Sequence, residues 1–105
     1  DKPEARMLQV FEGFMDFLTY LTLKKTPVAE GTVIVLNSTN LWRRALPYLD
    51  DPRFEEVRLY LDNDDAGNAA TKAFLEHAGT ERLADMREHY AGADDLNAWH
   101  LARRN

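Results

Sequence analysis

The feature that most constrains this chain is a hydrophobic period that switches repeatedly along its length. Short apolar runs alternate with segments whose apolar residues recur every three or four positions. Met7 to Phe11 reads as a buried strand ending at Glu12-Gly13. From Phe14, the residues Phe14, Met15, Phe17, Leu18, Leu21 and Leu23 predict a core-facing helical stripe. Lys24 and Lys25 complement the negative end of that helix before Pro27. Thr32 to Leu36 is β-branched and apolar on both faces, which predicts a strand inside a parallel sheet, covered on both sides.

Asn37-Ser38-Thr39-Asn40 is a turn and cap cluster leading to Leu41, Trp42, Ala45 and Leu49 at helical spacing, and Pro47 should kink or shorten that helix. After the turn at Asp50-Asp51-Pro52, Val57 to Leu61 predicts a third strand running into Asp62-Asn63-Asp64-Asp65. A helix from about Ala66 has Ala69, Ala70, Ala73 and Phe74 as its packed stripe and Gly79 as its stop. Leu83 to Met86 predicts a fourth, weaker strand. The tail from Asp94 to Arg104, with Leu96, Trp99 and Leu101, predicts one more short helix.

Alternation of this kind predicts an α/β domain with about four parallel strands, right-handed crossovers and helices on both faces. A length of 105 residues allows one core. The chain opens at Asp1 close to its first strand and ends at Arg103-Arg104-Asn105, just past an apolar helix-like stretch. It is therefore expected to be a single domain, 1–105, of a longer protein, with 1–5 a frayed end.

Composition narrows the chemistry. The absence of cysteine excludes disulfide scaffolds, thiolate metal sites and cysteine nucleophiles. No apolar run approaches the roughly 20 residues of a membrane span, and no basic-then-apolar leader is present, so a cytoplasmic, non-membrane setting is expected. A net charge of -5 argues against holding nucleic acid by bulk electrostatics. It leaves room for carboxylates that hold cations, which then meet phosphates.

In open parallel sheets, ligands bind beyond the carboxyl ends of the strands where strand order reverses. Glu12 follows the first strand, and Asp62 and Asp64 follow the third. Asp62 and Asp64 project to one side of an extended chain, and Asp16 lies one helical turn beyond Glu12. A strand order 2-1-3-4 would make Glu12, Asp62 and Asp64 converge, and hard carboxylate oxygens suit magnesium or manganese. Taken singly, each acid reads more readily as a helix cap or a solvated charge. Taken together at one sheet edge, they favour a cation site.

Rival motifs fail at identifiable positions. Asp62 to Gly67 opens like an EF-hand loop, but Ala66 and Ala73 stand where oxygen ligands belong. A Walker B strand would need a Gly-rich phosphate loop, and none is present. An aspartyl-phosphate motif would want Thr or Val at Ala66, and would open the domain rather than follow its third strand.

Glu12-Gly13-Phe14-Met15-Asp16 and Asp62-Asn63-Asp64-Asp65-Ala66-Gly67 together resemble the Glu-Gly-x-x-Asp and Asp-x-Asp-x-x-Gly motifs of Toprim domains. These serve topoisomerases, DnaG-type primases, OLD-family nucleases and RecR-type repair proteins. The resemblance spans Met7 to about Leu101 and is closest to primase-like members of mobile-element or phage type. A later primase motif, Gly-Lys-Asp-x-Asp, is matched imperfectly by Gly92-Ala93-Asp94-Asp95-Leu96-Asn97, where Asp94 replaces the Lys, one residue is extra and Asn97 replaces the second Asp.

The resemblance implies a Rossmann-like Toprim fold in which Asp62 and Asp64 hold one or two Mg2+ (or Mn2+) ions. Glu12 acts as general acid/base or further ligand. Asp16 and Asp95 extend the cluster to a second ion, with Asn97 a weaker, neutral donor. Gly13 and Gly67 allow close backbone approach. The implied function is phosphoryl transfer on nucleic acid, most directly RNA primer synthesis from nucleoside triphosphates on a DNA template. The implied partners are zinc-binding, helicase or ATPase domains. The alternative is an OLD-like nuclease or a non-catalytic assembly module.

The remaining polar residues read more plainly. Arg43 and Arg44 suit a solvated face, and Ser38 suits a cap. His77, His89 and His100 lack ligand spacing, and Trp42 and Trp99 suit the core.

Overall fold

β1 (Met7–Phe11), β2 (Thr32–Val35), β3 (Glu56–Tyr60) and β4 (Leu83–Asp85) pair in parallel in the order β2-β1-β3-β4. This is the α/β fold expected from the alternating sequence, with the strand order under which Glu12, Asp62 and Asp64 would converge. The structure is a computed structural model that describes residues 7–25, 31–37, 39–79 and 81–103. The helices are α1 (Phe14–Lys24), α2 (Leu46–Leu49), α3 (Asp65–Ala78) and α4 (Leu96–Ala102).

The two-residue period of the strands sorts side chains to opposite faces. Leu8, Val10, Val57 and Leu59 point to one face, where they join Ala45 and Leu49 from the second helical region and Ala70 and Phe74 of α3. Phe11 and Tyr60 point to the other, where they meet Tyr20 of α1 and Leu96 of α4. Both faces of the sheet are thus covered by helices. Each fully buried Leu, Val or Phe on these faces contributes about 1.5–3 kcal/mol relative to exposure.

Several expectations need correction, among them the stripe of α3, where Ala69 is exposed and Thr71 is buried beside Ala70 and Phe74. β2 is an edge strand, and Val33, Ile34 and Val35 are only half-buried. Its apolar run reflects packing against helices on each face, but one flank has no neighbouring strand among the described residues. The stripe expected on α1 is also rotated. Asp16, Thr19 and Tyr20 are its buried residues, whereas Phe14, Met15, Leu18 and Leu23 are exposed. Aromatic and polar packing overrides the apolar count there, because Tyr20 fits against Phe11 and Tyr60 at ring separations of 5.4 and 5.6 Å. The second helix is mostly a 3₁₀ segment, Thr39–Ala45, followed by the single turn of α2. Pro47 stands near the start of that turn, where its missing N–H costs nothing. Ser38 and Pro27 lie outside the described residues.

Candidate metal centre

Adjacent, in-register strands bring the acids together. Phe11 aligns with Tyr60, so the chain leaves β1 and β3 side by side at their carboxyl ends. The Glu12 N–H donates to the Tyr60 carbonyl at 3.2 Å, and the Asp62 N–H donates to Glu12 Oε1 at 3.0 Å. Carboxylate oxygens of Glu12, Asp62 and Asp64 lie within 4.8 Å of one another. Those of Asp16, Asp62 and Asp95 do the same, so Asp62 belongs to both sets.

Local capping fixes two of these acids. Asp64 is the N-cap of α3 and accepts the Gly67 N–H at 2.7 Å. Asp95 is the N-cap of α4 and accepts the Ala98 N–H at 2.7 Å. Capping and ligation are therefore compatible: each cap engages one carboxylate oxygen and orients the other. Gly67 is required sterically, since a methyl group on its Cα would lie 2.0 Å from the Asp62 carbonyl oxygen. At Gly13 the same methyl would press on Asp16 Oδ2 at 3.2 Å.

Asp16 is buried, and the backbone N–H of Asn97 donates to it at 3.1 Å. The Thr19 hydroxyl donates to the Asn97 amide oxygen at 2.9 Å. Asn97 thus ties α4 to α1, and its oxygen already has one partner. Glu12, Asp16, Asp62, Asp95, Asn37 and Asn97 line an open cavity of about 420 Å³, with exposed Phe14 and Met15 on its rim. A groove of about 520 Å³ along β2 holds Arg44 and Tyr48 but no carboxylate. The acidic chemistry is in the smaller cavity.

The electrostatics reflect crowded negative charge. Burial, then the neighbouring Glu12, then Asp16 and Asp95 push the Asp62 carboxyl up to about 8. Burial is also the main cause pushing Asp16 up to about 6, with Asp95 and Glu12 adding to it. Protons or a cation must relieve this repulsion. The donor set consists of clustered hard oxygens, with neither thiolate nor imidazole in either group. It fits a hard divalent cation such as Mg2+ or Mn2+.

Other predicted residues take lesser places. His77 sits in the last turn of α3 and contacts Asp50 at 2.8 Å, His89 is exposed, and His100 lies in the last turn of α4. Arg43 lies over the Trp42 ring, and both Arg43 and Arg44 are exposed. Trp42 packs edge-on to Phe74 in the core, and Trp99 packs beside the aromatic cluster. Sequence reasoning missed Thr19, Asn37 and Asn63. For Asn37 a signal existed in its residue type and place, just past the apolar run of β2 at the ligand edge, and the structure gives it a positive φ (63°) that Asn tolerates.

A Toprim-like family model matches residues 9–100. No curated protein matches the chain in sequence. Among solved structures, the primase fragment of the bacteriophage T7 primase-helicase protein superposes with a TM-score of 0.72 at 22% identity. The match covers 92% of this chain and 39% of that fragment.

Proposed function

The chain belongs to the Toprim-like family, and from that premise we propose that it is the metal-binding catalytic module of a primase-like nucleotidyltransferase. The observation that carries this reading is the convergence of Glu12, Asp62 and Asp64 at the carboxyl edge of two adjacent parallel strands. The likeness to a phage primase fragment favours the primase branch over a nuclease.

Asp62 and Asp64 would hold one divalent cation, and Asp16 and Asp95 would share Asp62 in holding another. Held there, Mg2+ would supply positive charge against the phosphates of the substrate. Glu12, held by the Asp62 N–H through one oxygen, offers the other to the proton of the attacking hydroxyl. Asn97 and Thr19 keep Asp16 in place. The substrates are nucleoside triphosphates and a single-stranded DNA template. Grip on that template falls to zinc-binding or helicase domains of a longer cytoplasmic protein, because this domain carries a net charge of -5. Among the described residues no helix is long and apolar enough to cross a membrane.

The test is ribonucleotide incorporation on single-stranded DNA with Mg2+, using the chain in its full-length context. Primer synthesis that Asp62→Asn and Asp64→Asn each reduce by at least about 100-fold is expected. Metal-dependent cleavage of DNA without synthesis would replace the primase reading with the nuclease one.

A further inference from the structure

Asn63 stands between the two aspartates of the third-strand motif, yet its side chain is engaged elsewhere. Its Nδ2 donates to the carbonyl oxygens of Ala93 at 3.0 Å, Tyr90 at 3.2 Å and Arg87 at 3.4 Å. An amide has two N–H groups, so the two shorter contacts are the principal bonds and the third is shared. The backbone N–H of Asn63 adds a bond to the Asp94 carbonyl at 2.6 Å. One residue therefore gathers four carbonyls from the segment that leads into Asp95.

That segment is also held at its start, where Arg87 pairs with Asp85 and Asn68 and Tyr90 is buried in the aromatic cluster. It comprises the short 3₁₀ turn Arg87–Tyr90, then residues 91–95 without regular structure, with Gly92 at a φ of 91°. The Tyr90 hydroxyl supplies a further tie, donating to the Leu61 carbonyl at 2.6 Å. Asp95 follows directly, caps α4, and reaches Asp16 and Asp62.

We propose that Asn63 is a positioning residue that fastens the 87–94 segment to the third-strand motif and so sets Asp95 beside Asp62 for cation binding. The central Asn of the motif thus links the two carboxylate sets, as outer partners orient metal ligands elsewhere. This inference rests on reading the acidic edge as a metal site.

The test is a double-mutant cycle on Mn2+ affinity, measured by the resonance of free Mn2+, with circular dichroism confirming the fold of each variant. Asn63→Ala is expected to weaken binding by about 10-fold. In an Asp95→Asn background the same change should have less than about a 2-fold effect, because the residue through which it acts is already lost. A general loosening of the fold would instead weaken both backgrounds alike, and that result overturns the proposal. So does wild-type affinity in Asn63→Ala. If Asn63→Ala does not fold, Asn63→Ser, which keeps one donor, goes through the same cycle. An unfolded Ser variant would assign Asn63 to the fold alone and overturn the proposal too. Binding lost in Asp62→Asn but indifferent to Asn63→Ala would reject only the positioning role. Absence of wild-type binding would reject the metal reading as well.

Discussion

Leu8, Val10, Val57 and Leu59 leave one face of the sheet and meet Leu49, Ala70 and Phe74 in a largely aliphatic layer. Phe11 and Tyr60 leave the other face and stack on each other with ring centroids 4.5 Å apart, beneath α1 and α4. Buried Asp16 and Thr19 belong to this second side. The first side gains its stability mainly from burial of apolar area, with Thr71 of α3 buried among it. The second combines aromatic packing with buried polar groups, and its helices carry Asp16, Asp95 and Asn97 to the acidic cavity. The difference teaches that one sheet can be stabilised from one side and furnished with a site from the other.

The largest effect should come from breaking the aliphatic side. Phe74→Ala is expected to cost about 3–5 kcal/mol in denaturant unfolding, because the ring is fully buried. Mn2+ affinity of the fraction that remains folded should stay at the wild-type value. A parallel loss of affinity would show that the two sides are not separable.

Gly67→Ala attacks the junction between strand end and α3. The added methyl meets the Asp62 backbone, so a loss of about 1–3 kcal/mol is expected, together with weakened metal binding. Here stability and affinity should fall together, in contrast to Phe74→Ala.

The polar side should show itself in pH dependence. Asp62 has its carboxyl raised from 3.8 to about 8 in the folded chain, so the folded state binds its proton more tightly than the unfolded state. The stability from this group is therefore full below pH 3.8 and is lost as pH rises to about 8. Discounted for its partial solvent exposure, the loss is about 1 kcal/mol. Thermal melts between pH 4 and pH 8 should show this slope, and Asp62→Asn should reduce it, with buried Asp16, raised to about 6, supplying the remainder. An unchanged slope in Asp62→Asn would place its origin elsewhere.

The smallest effect is expected on the outward side of α1. Leu18→Ser should change stability by less than about 0.5 kcal/mol, since Leu18 is exposed despite its apolar character. A cost like that of Phe74→Ala would restore the apolar stripe as a core face.

That last contrast marks what was legible in the sequence. The alternation of elements and the placing of Glu12, Asp62 and Asp64 at the carboxyl ends of their strands followed from apolar runs ending in carboxylates. The orientation of α1 did not, because hydrophobic periodicity weighs Leu18 above Thr19 and cannot see Phe11 and Tyr60 waiting to receive Tyr20. β2 showed the composition of an interior strand, yet its flank depends on strand order, which composition does not report. Asp64 set capping against ligation, a choice that the structure dissolves because a carboxylate has two oxygens, and Asp95 proves to be a cap that the sequence did not announce. Asn63 was invisible for a different reason: its partners lie 24 to 30 residues later in the chain, in a segment without periodic signal.

The most direct measurement is paramagnetic broadening by Mn2+ in the NMR spectrum of the isotopically labelled protein, with the double variant Asp62→Asn/Asp64→Asn as control. A cation site at the sheet edge predicts broadening centred on Glu12, Asp62 and Asp64, reaching Asp16 and Asp95, and abolished in the control. Broadening scattered over surface carboxylates, or unchanged in the control, would contradict that site and leave these acids as caps and solvated charges.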